Sequence, residues 1–394
     1  MCKKGRIDVK KQLRIFAASF VAISSLLGLA ATPLVAAAPG SDTCTWTDAG
    51  NTDAWSEVAN WSNCSSGAPV TGDSLIFDNS SLSSEKSVMN DIPGLALNTI
   101  TFSGSTTNGF VVAGEAFSLS GGIANTVASS GYSSIDTDGL TLTANQTLKK
   151  TYVNAPLNFG AFTITLNESG LGGVLTGNGT LQLNAASSIY AIEANPALTG
   201  TINVESSASV SVNLPEATLG TASLVIKDGG TLNISAYDEN VTFPNNVTII
   251  GDGQDDGVIS ACLAQPDPVS SGGGGGQGAF TCTMTAPGKL TLTGKVTLSG
   301  NAKLAGGLPN SAQTQMTTFI LAGEFVSNNF TLTAVDGSKT TIQVGATSTS
   351  AKAPVTGMSV ITANPIQTLA VTALLGSGIY FISRRVLAKS AVRR

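Results

Sequence analysis

The sequence predicts an all-β protein: a parallel β-helix (solenoid) ectodomain followed by a C-terminal transmembrane helix. Three observations predict it. A glycine followed by alternating apolar and hydroxyl residues recurs at a nearly constant interval, apolar and polar residues alternate through most of the chain, and a long uncharged segment precedes a basic C-terminus. The alternative fold is a set of β-sandwich domains, in which antiparallel hairpins rather than stacked coils would produce the same interval.

The N-terminal segment 1–38 has the layout of a secretory signal peptide. Six basic residues fall within its first 14 positions, an apolar run extends from Ile15 to about Ala31, and small residues follow Pro33. This order of basic, apolar and small-residue regions is typical of signal peptides cleaved on export, here near residues 36–38. A non-cleaved membrane anchor is the alternative. Either interpretation places the region that follows outside the cell.

The segment 39–125 begins with a tryptophan cluster. Trp46, Trp55 and Trp61 are the three tryptophans of the chain, and Cys44 and Cys64 flank them. Together with Gly72-Asp-Ser-Leu-Ile-Phe77 and Leu97-Asn-Thr-Ile-Thr-Phe102, this pattern resembles the start of bacterial surface proteins with autotransporter-associated β-strand repeats. The resemblance implies a parallel β-helix and nothing about activity.

The tryptophan cluster has two interpretations. The three indoles could form a ligand-facing platform, because flat sugar faces pack on aromatic rings. Alternatively, they cover the open end of the solenoid, whose first coil has to be hidden from water. The second interpretation is favoured, since a clustered aromatic group beside a disulfide is typical of a small end module.

The segment 126–345 is predicted to be the solenoid itself. Its repeat glycines are spaced 21, 19, 21 and 20 residues apart: Gly139, Gly160, Gly179, Gly200 and Gly220. A period of this length is typical of stacked supersecondary units. Strands this short cannot bury an apolar face alone, so we expect them to stack with Leu, Ile, Val and Phe inward and Thr, Ser and Asn outward.

In an oxidising compartment, local pairing into Cys44–Cys64 and Cys262–Cys282 is the simplest of the three connectivities open to the four cysteines of the mature chain. Metal binding by the four cysteines is the rival, but the CxxC spacing typical of such sites is absent. The second pair closes a glycine-rich loop that interrupts the repeat. Just before it, Asp252, Asp255 and Asp256 form the best candidate for a calcium site, because alternating oxygen donors precede a glycine. The position where an EF-hand carries its last carboxylate is occupied by Leu263, so a solvated turn is the preferred interpretation and no metal site is predicted.

The C-terminal part comprises a linker with a sorting motif (346–357), an apolar segment (358–383) and a basic tail (384–394). No charged residue occurs between Lys352 and Arg384, which is enough chain for a helix to cross a bilayer. The sequence Ala353-Pro-Val-Thr-Gly357 resembles the Leu-Pro-x-Thr-Gly signal of sortase-anchored proteins, with Ala353 replacing the leucine. The resemblance implies cleavage between Thr356 and Gly357, with Pro354 completing the motif. Retention of the uncleaved helix as a membrane anchor is the alternative.

The composition of the chain disfavours several classes of function. Between the basic ends lie 9 lysines and 24 acidic residues, a net charge of 9 minus 24, or −15, so nucleic acid is not an expected partner. The chain has no histidine, and this middle region has no arginine. That removes the commonest general base and the commonest metal ligand. No catalytic residue and no cofactor are therefore predicted, although an enzyme that works with carboxylates alone stays an alternative.

The sequence thus predicts an extracellular protein anchored to the bacterial cell surface that acts as a structural or adhesive stalk. Its expected partners are the membrane, through the C-terminal helix, sortase and the cell wall, and glycans or other cell surfaces. A carbohydrate-active β-helix enzyme and a glycan-binding module built on the tryptophans are the alternatives.

Overall fold

The computed structural model describes residues 41–127, 132–184, 186–252, 258–264, 286–306, 316–336 and 338–345. Over these residues the chain is all-β, with a single turn of 3-10 helix at Val58–Asn60. A search of the same residues found no helix with the length and hydropathy needed to cross a membrane. The predicted signal peptide, transmembrane helix and basic tail all lie outside the described residues.

The described strands are short and follow one another closely. The first seventeen, in chain order, are β1 (Thr43–Trp46), β2 (Trp61–Ser62), β3 (Ser74–Asp78), β4 (Lys86–Asn90), β5 (Ala96–Leu97), β6 (Ile100–Ser103), β7 (Phe110–Gly114), β8 (Phe117–Leu119), β9 (Ile123–Asn125), β10 (Ser133–Thr137), β11 (Leu140–Leu142), β12 (Gln146–Lys149), β13 (Thr151–Val153), β14 (Leu157–Gly160), β15 (Thr163–Asn167), β16 (Gly170–Leu171) and β17 (Leu175–Gly177). The others are β18 (Thr180–Leu183), β19 (Ser188–Ala191), β20 (Thr201–Val204), β21 (Ser209–Leu214), β22 (Ser223–Ile226), β23 (Thr231–Ala236), β24 (Asn240–Phe243), β25 (Val247–Ile249), β26 (Ile259–Cys262), β27 (Gly288–Leu292), β28 (Val296–Leu298), β29 (Ala302–Gly306), β30 (Thr317–Leu321), β31 (Phe325–Val326), β32 (Leu332–Ala334) and β33 (Thr340–Val344).

Within the described chain these strands form four sheets. Sheet A has 13 strands in the order β2-β1-β3-β6-β9-β12-β15-β18-β20-β22-β25-β28-β31, and sheet B has 11 in the order β32-β29-β26-β23-β21-β19-β16-β13-β10-β7-β4. Sheet C (β17-β14-β11-β8-β5) and sheet D (β24-β27-β30-β33) are shorter. In most coils the chain visits sheet A, then B, then C or D, and returns to A. The coils β18–β19 and β20–β21 return from sheet B to sheet A without a third described strand.

Strands one coil apart pair in parallel. In sheet A, Leu75 is paired with Ile100 and Ile100 with Ile123. The hairpin of β1 and β2 is the one antiparallel pair among the described strands. Hairpin-built β-sandwich domains would require antiparallel pairing throughout, so the alternative fold is wrong. The long parallel sheets are compatible with the predicted parallel β-helix.

The core follows from the alternation seen in the sequence. In β21, Val210, Val212 and Leu214 are buried, whereas the residues between them are partly exposed. The inward side chains of successive coils form one cluster that extends from Cys44 to Ile342. Burying such a side chain stabilises the fold by about 2 kcal/mol, but a single coil holds too few of them to be stable without its neighbours.

The glycine period is less regular in the structure than in the sequence. Gly179 and Gly200 occupy the same corner before sheet A, because a Cβ on Gly200 would overlap the carbonyl oxygen of Gly179. In contrast, Gly139 precedes a strand of sheet C, and Gly160 is in register with Gly177. Coils differ in length because their turns differ. The step from Leu75 to Ile100 is 25 residues and that from Ile164 to Leu181 is 17.

Candidate functional site

The interpretation of the three tryptophans as a ligand-facing platform, the less favoured of the two, is wrong, because all three indoles lie in the core. Trp46, Trp55 and Trp61 are 4%, 0% and 7% exposed. Their rings surround Phe77, with ring centroids 6.1, 5.9 and 5.8 Å from its own. The indole N–H of Trp61 donates to the carbonyl oxygen of Trp55 at 2.7 Å. Trp46 and Trp61 belong to β1 and β2 at the first edge of sheet A, as the favoured interpretation as an end module expects. We call the segment that holds the three tryptophans and the Cys44–Cys64 disulfide the end module.

The predicted disulfide Cys44–Cys64 is confirmed, with a Cα–Cα distance of 4.8 Å. The buried carboxylate of Asp73 lies beside it and accepts the backbone N–H groups of Asp42 and Val70 at 3.0 and 2.9 Å. Asp73 and the two cysteines are the one group of three potential metal ligands found in the described chain. The sulfurs are joined to each other and cannot act as thiolate ligands, so this cluster is structural.

The other predicted site residues are only partly within the described chain. Cys262 is disulfide-bonded, and its predicted partner, Cys282, lies outside the described residues. The carboxylate of Asp252 pairs with Lys303 at 3.4 Å, whereas Asp255 and Asp256 lie outside. The sorting residues Pro354, Thr356 and Gly357 are also outside the described residues.

A pair of carboxylates converges in the end module. The alternative enzyme, which would work with carboxylates alone, requires two carboxylates from different coils in one groove, and this pair does not meet that requirement. Asp48 and Asp53 bind the Nζ of Lys86 at 2.8 and 2.7 Å. Hydrogen bonds to Asp48 and then to Asp53 raise the pKa of Lys86. The two aspartates belong to one exposed loop rather than to different coils, and the single ammonium between them offsets half of their charge. Their geometry ties the loop to β4.

The outer face of sheet B carries a cluster of aromatic side chains that the sequence analysis did not single out. Tyr132 and Tyr152 pack together with ring centroids 5.0 Å apart and an interplanar angle of 57°. Burial, and then the neighbouring Tyr132, raises the pKa of Tyr152. The phenol of Tyr152 is consequently neutral near pH 7. Tyr132 is 37% exposed and Tyr152 is partly exposed.

A buried glycine, Gly170, lies beneath the ring of Tyr152. The register places Tyr152 next to Gly170 and Gly170 next to Ser188 across three successive strands of sheet B. A Cβ on Gly170 would be 2.5 Å from the ring of Tyr152, and Gly170 is buried. The ring of Tyr152 therefore lies across β16 rather than projecting away from the sheet.

A second row of outward residues runs beside the first, two positions further along each strand. It contains Asp136, Asn154, Gly172 and Tyr190, because Ile135 pairs with Val153 and Leu171 with Ile189. The Nδ2 of Asn154 donates to the Oδ1 of Asp136 at 2.9 Å. Four coils thus present a polar pair, two glycines over which the side chains of Tyr152 and Asn154 lie, and tyrosines at either side. We call these eight residues the tyrosine face: Tyr132, Asp136, Tyr152, Asn154, Gly170, Gly172, Ser188 and Tyr190.

The sequence contains a signal for the tyrosine face, but it can be recognised only once the register is known. Tyr152 and Tyr190 lie on strands two coils apart, and the strand between them begins with a glycine and is followed by another. The irregular coil lengths conceal this alignment. Tyr152, Gly170 and Ser188 are aligned at steps of 18 residues, whereas a constant period of 20 residues would align other positions.

No protein-family model, curated protein or solved structure matches this chain.

Proposed function

We propose that this protein is exported, anchored in the bacterial envelope, and acts at the cell surface as a structural or adhesive stalk built from a parallel β-helix. The observation that carries the proposal is the parallel pairing of consecutive coils, which runs through sheets A and B from the end module to the last described coil. Each coil is hydrogen-bonded to the next, so the stack resists bending. A rigid scaffold of this kind suits the display of surfaces away from the envelope.

Features at the two ends of the sequence support the location. The signal-peptide layout of residues 1–38 would export the chain, and the sorting motif and apolar segment would hold its C-terminus at the envelope. The disulfide between Cys44 and Cys64 is consistent with an oxidising compartment. The acidic surface and the absence of histidine favour a display role over catalysis.

Surface labelling of intact cells tests the proposal. A membrane-impermeant amine reagent is applied to intact and to lysed cells, and labelling at the exposed Lys289 is measured by mass spectrometry. We expect equal labelling in both samples and a mature N-terminus near residue 39. Labelling only after lysis, together with retention of residues 1–38, would contradict an exported location.

The same cells distinguish the two modes of anchoring. If the sorting motif is used, cell-wall digests contain a peptide that ends at Thr356, and the variant Thr356→Ala shifts the protein to the membrane fraction. If the helix is retained, wild type and variant both fractionate with the membrane. Release of both proteins into the medium would show that the C-terminal segment does not anchor the chain.

A further inference from the structure

We propose that the tyrosine face binds a neutral oligosaccharide, with a sugar ring stacked on Tyr152 and the polar pair Asp136–Asn154 bonded to its hydroxyl groups. The inference rests on the proposed display function, because such a ligand has to reach the outer face of sheet B from outside the cell. It adds to that function the chemical class of the partner.

The shape of the site favours a flat, extended ligand. The Cδ1–Cε1 edge of the Tyr152 ring lies at Gly170, and the ring is partly exposed, so a sugar ring can reach its outer side. Tyr132 packs against this ring at an angle and limits its movement. Aromatic rings held in this way bind ligands that have one apolar face and polar edges. The pyranose ring of a sugar has this character.

The extent of the face suits more than one sugar unit. Tyr190 lies two strands from Tyr152 and two residues further along, which corresponds to about 12 Å for a sheet spacing of about 4.8 Å and a rise of about 3.3 Å per residue. Between them, the side chains of Tyr152 and Asn154 lie over Gly170 and Gly172. A chain of linked sugars that runs along these two side chains can therefore contact a tyrosine at each side.

The polar groups are oriented for hydroxyl recognition. The side chains of Asp136 and Asn154 hold each other at 2.9 Å, and both are exposed. A carboxylate accepts from sugar hydroxyls and a carboxamide can both donate and accept. Because the pair is already formed, the ligand does not have to order it, and this reduces the entropic cost of binding.

Charge distinguishes between classes of glycan. Asp136, Asp138, Glu168 and Glu193 lie on or beside the face and are exposed. The nearby ammonium of Lys150 is 3.7 Å from the carboxylate of Glu168. An anionic polysaccharide would meet repulsion here, which favours an uncharged glycan over an anionic one. Tyr237 lies outside the tyrosine face, is 47% exposed and provides a matched control.

The test is binding of the full-length chain in detergent to an array of neutral oligosaccharides of glucose, galactose, mannose and N-acetylglucosamine, followed by titration calorimetry with the best probe. We expect Tyr152→Ala and Tyr190→Ala each to weaken binding by about tenfold or more, as is usual for loss of a stacking ring. Tyr152→Phe retains the ring and should bind within about threefold of wild type. Asp136→Asn should weaken binding by about threefold to tenfold.

Tyr237→Ala is the control and should bind like the wild type. The thermal unfolding temperature of each variant shows whether the variant is folded. Asp136→Asn changes an exposed side chain and leaves the Tyr152 ring at Gly170 in place. The inference is overturned if no neutral oligosaccharide binds, or if binding survives in Tyr152→Ala, Tyr190→Ala and Asp136→Asn alike. Surface labelling at Lys289 is unaffected by either outcome, so failure of this inference is distinguishable from failure of the display function.

Discussion

Asp73 is the residue on which the end module depends most directly. It is fully buried and accepts two backbone N–H groups from different segments. Replacing Asp73 with Asn exchanges an acceptor oxygen for a donor nitrogen and leaves at least one buried N–H without a partner. We expect Asp73→Asn to lower the free energy of unfolding by about 1–3 kcal/mol, measured by tryptophan fluorescence during denaturation.

The matched control is Asp138→Asn, which changes an exposed aspartate in the same way. This substitution should leave the free energy of unfolding within about 0.5 kcal/mol of wild type. Equal effects of the two substitutions would show that the buried bonds of Asp73 contribute nothing specific.

At the residue scale, the sequence predicted Cys44–Cys64 correctly because the two cysteines are local and flank a compact module. It favoured a buried tryptophan cluster over an exposed one but left both open, since both use the same residues. The outcome depends on Phe77, whose ring the three indoles surround. That contact joins residues from separate strands and is not visible as a sequence pattern.

At the element scale, the alternation of apolar and hydroxyl residues predicted the strands but not every inward position. Hydroxyl residues were expected to point outward, yet a buried column lies at the start, or directly before the start, of four strands of sheet B: Ser133, Thr151, Ser169 and Ser187. The Oγ atoms of Ser169 and Ser187 accept the N–H groups of Thr151 and Ser169 at 3.3 Å. The column exists because the corner between sheets A and B leaves backbone groups that need partners.

Two glycines of the apparent repeat, Gly200 before sheet A and Gly139 before sheet C, should respond differently to the same substitution. A Cβ on Gly200 would overlap the carbonyl oxygen of Gly179, whereas a Cβ on Gly139 would meet nothing closer than Ala116 Cβ at 3.5 Å. Gly200→Ala should therefore force adjacent coils apart and cost about 1–3 kcal/mol. Gly139→Ala should be neutral or stabilise the protein by up to about 1 kcal/mol, because it restricts the unfolded chain.

Chemical denaturation followed by far-ultraviolet circular dichroism checks this pair. The two substitutions are chemically identical and both fall on glycines of the same apparent repeat, so their difference isolates the close approach of the coils. Comparable destabilisation by both would mean that each glycine serves backbone conformation rather than packing.

At the scale of the whole molecule, the repeat predicted that successive segments stack, and the parallel pairing of sheets A and B agrees with it. The period did not reveal that most coils contain three strands, because turn lengths vary and conceal the phase. The tyrosine face illustrates the consequence. Its residues are 58 positions apart at the extremes, from 132 to 190, and only the observed register brings them together.

Stacking by nearest neighbours also predicts that the end module loosens in acid before the remaining coils do. A hydrogen bond from the Thr52 hydroxyl, and then one from the backbone N–H of Asn51, lower the pKa of Glu57. The hydroxyl and N–H of Ser65 lower that of Asp42. The unfolded carboxylates bind protons at a higher pH than the folded ones, so the stability present above about pH 4.5 is lost as the pH falls through the lowered values.

The coils beyond the end module are held mainly by backbone hydrogen bonds and apolar burial, which do not titrate in this range. All three tryptophans lie in the end module, so their emission reports on it alone, whereas far-ultraviolet circular dichroism reports on all strands. During acidification we expect the tryptophan emission to shift to longer wavelength at a higher pH than the loss of strand signal. The control Glu57→Gln should weaken the module at pH 7 and reduce its dependence on pH. A single transition shared by both signals would mean that the coils unfold as one unit and that the end module has no separate stability.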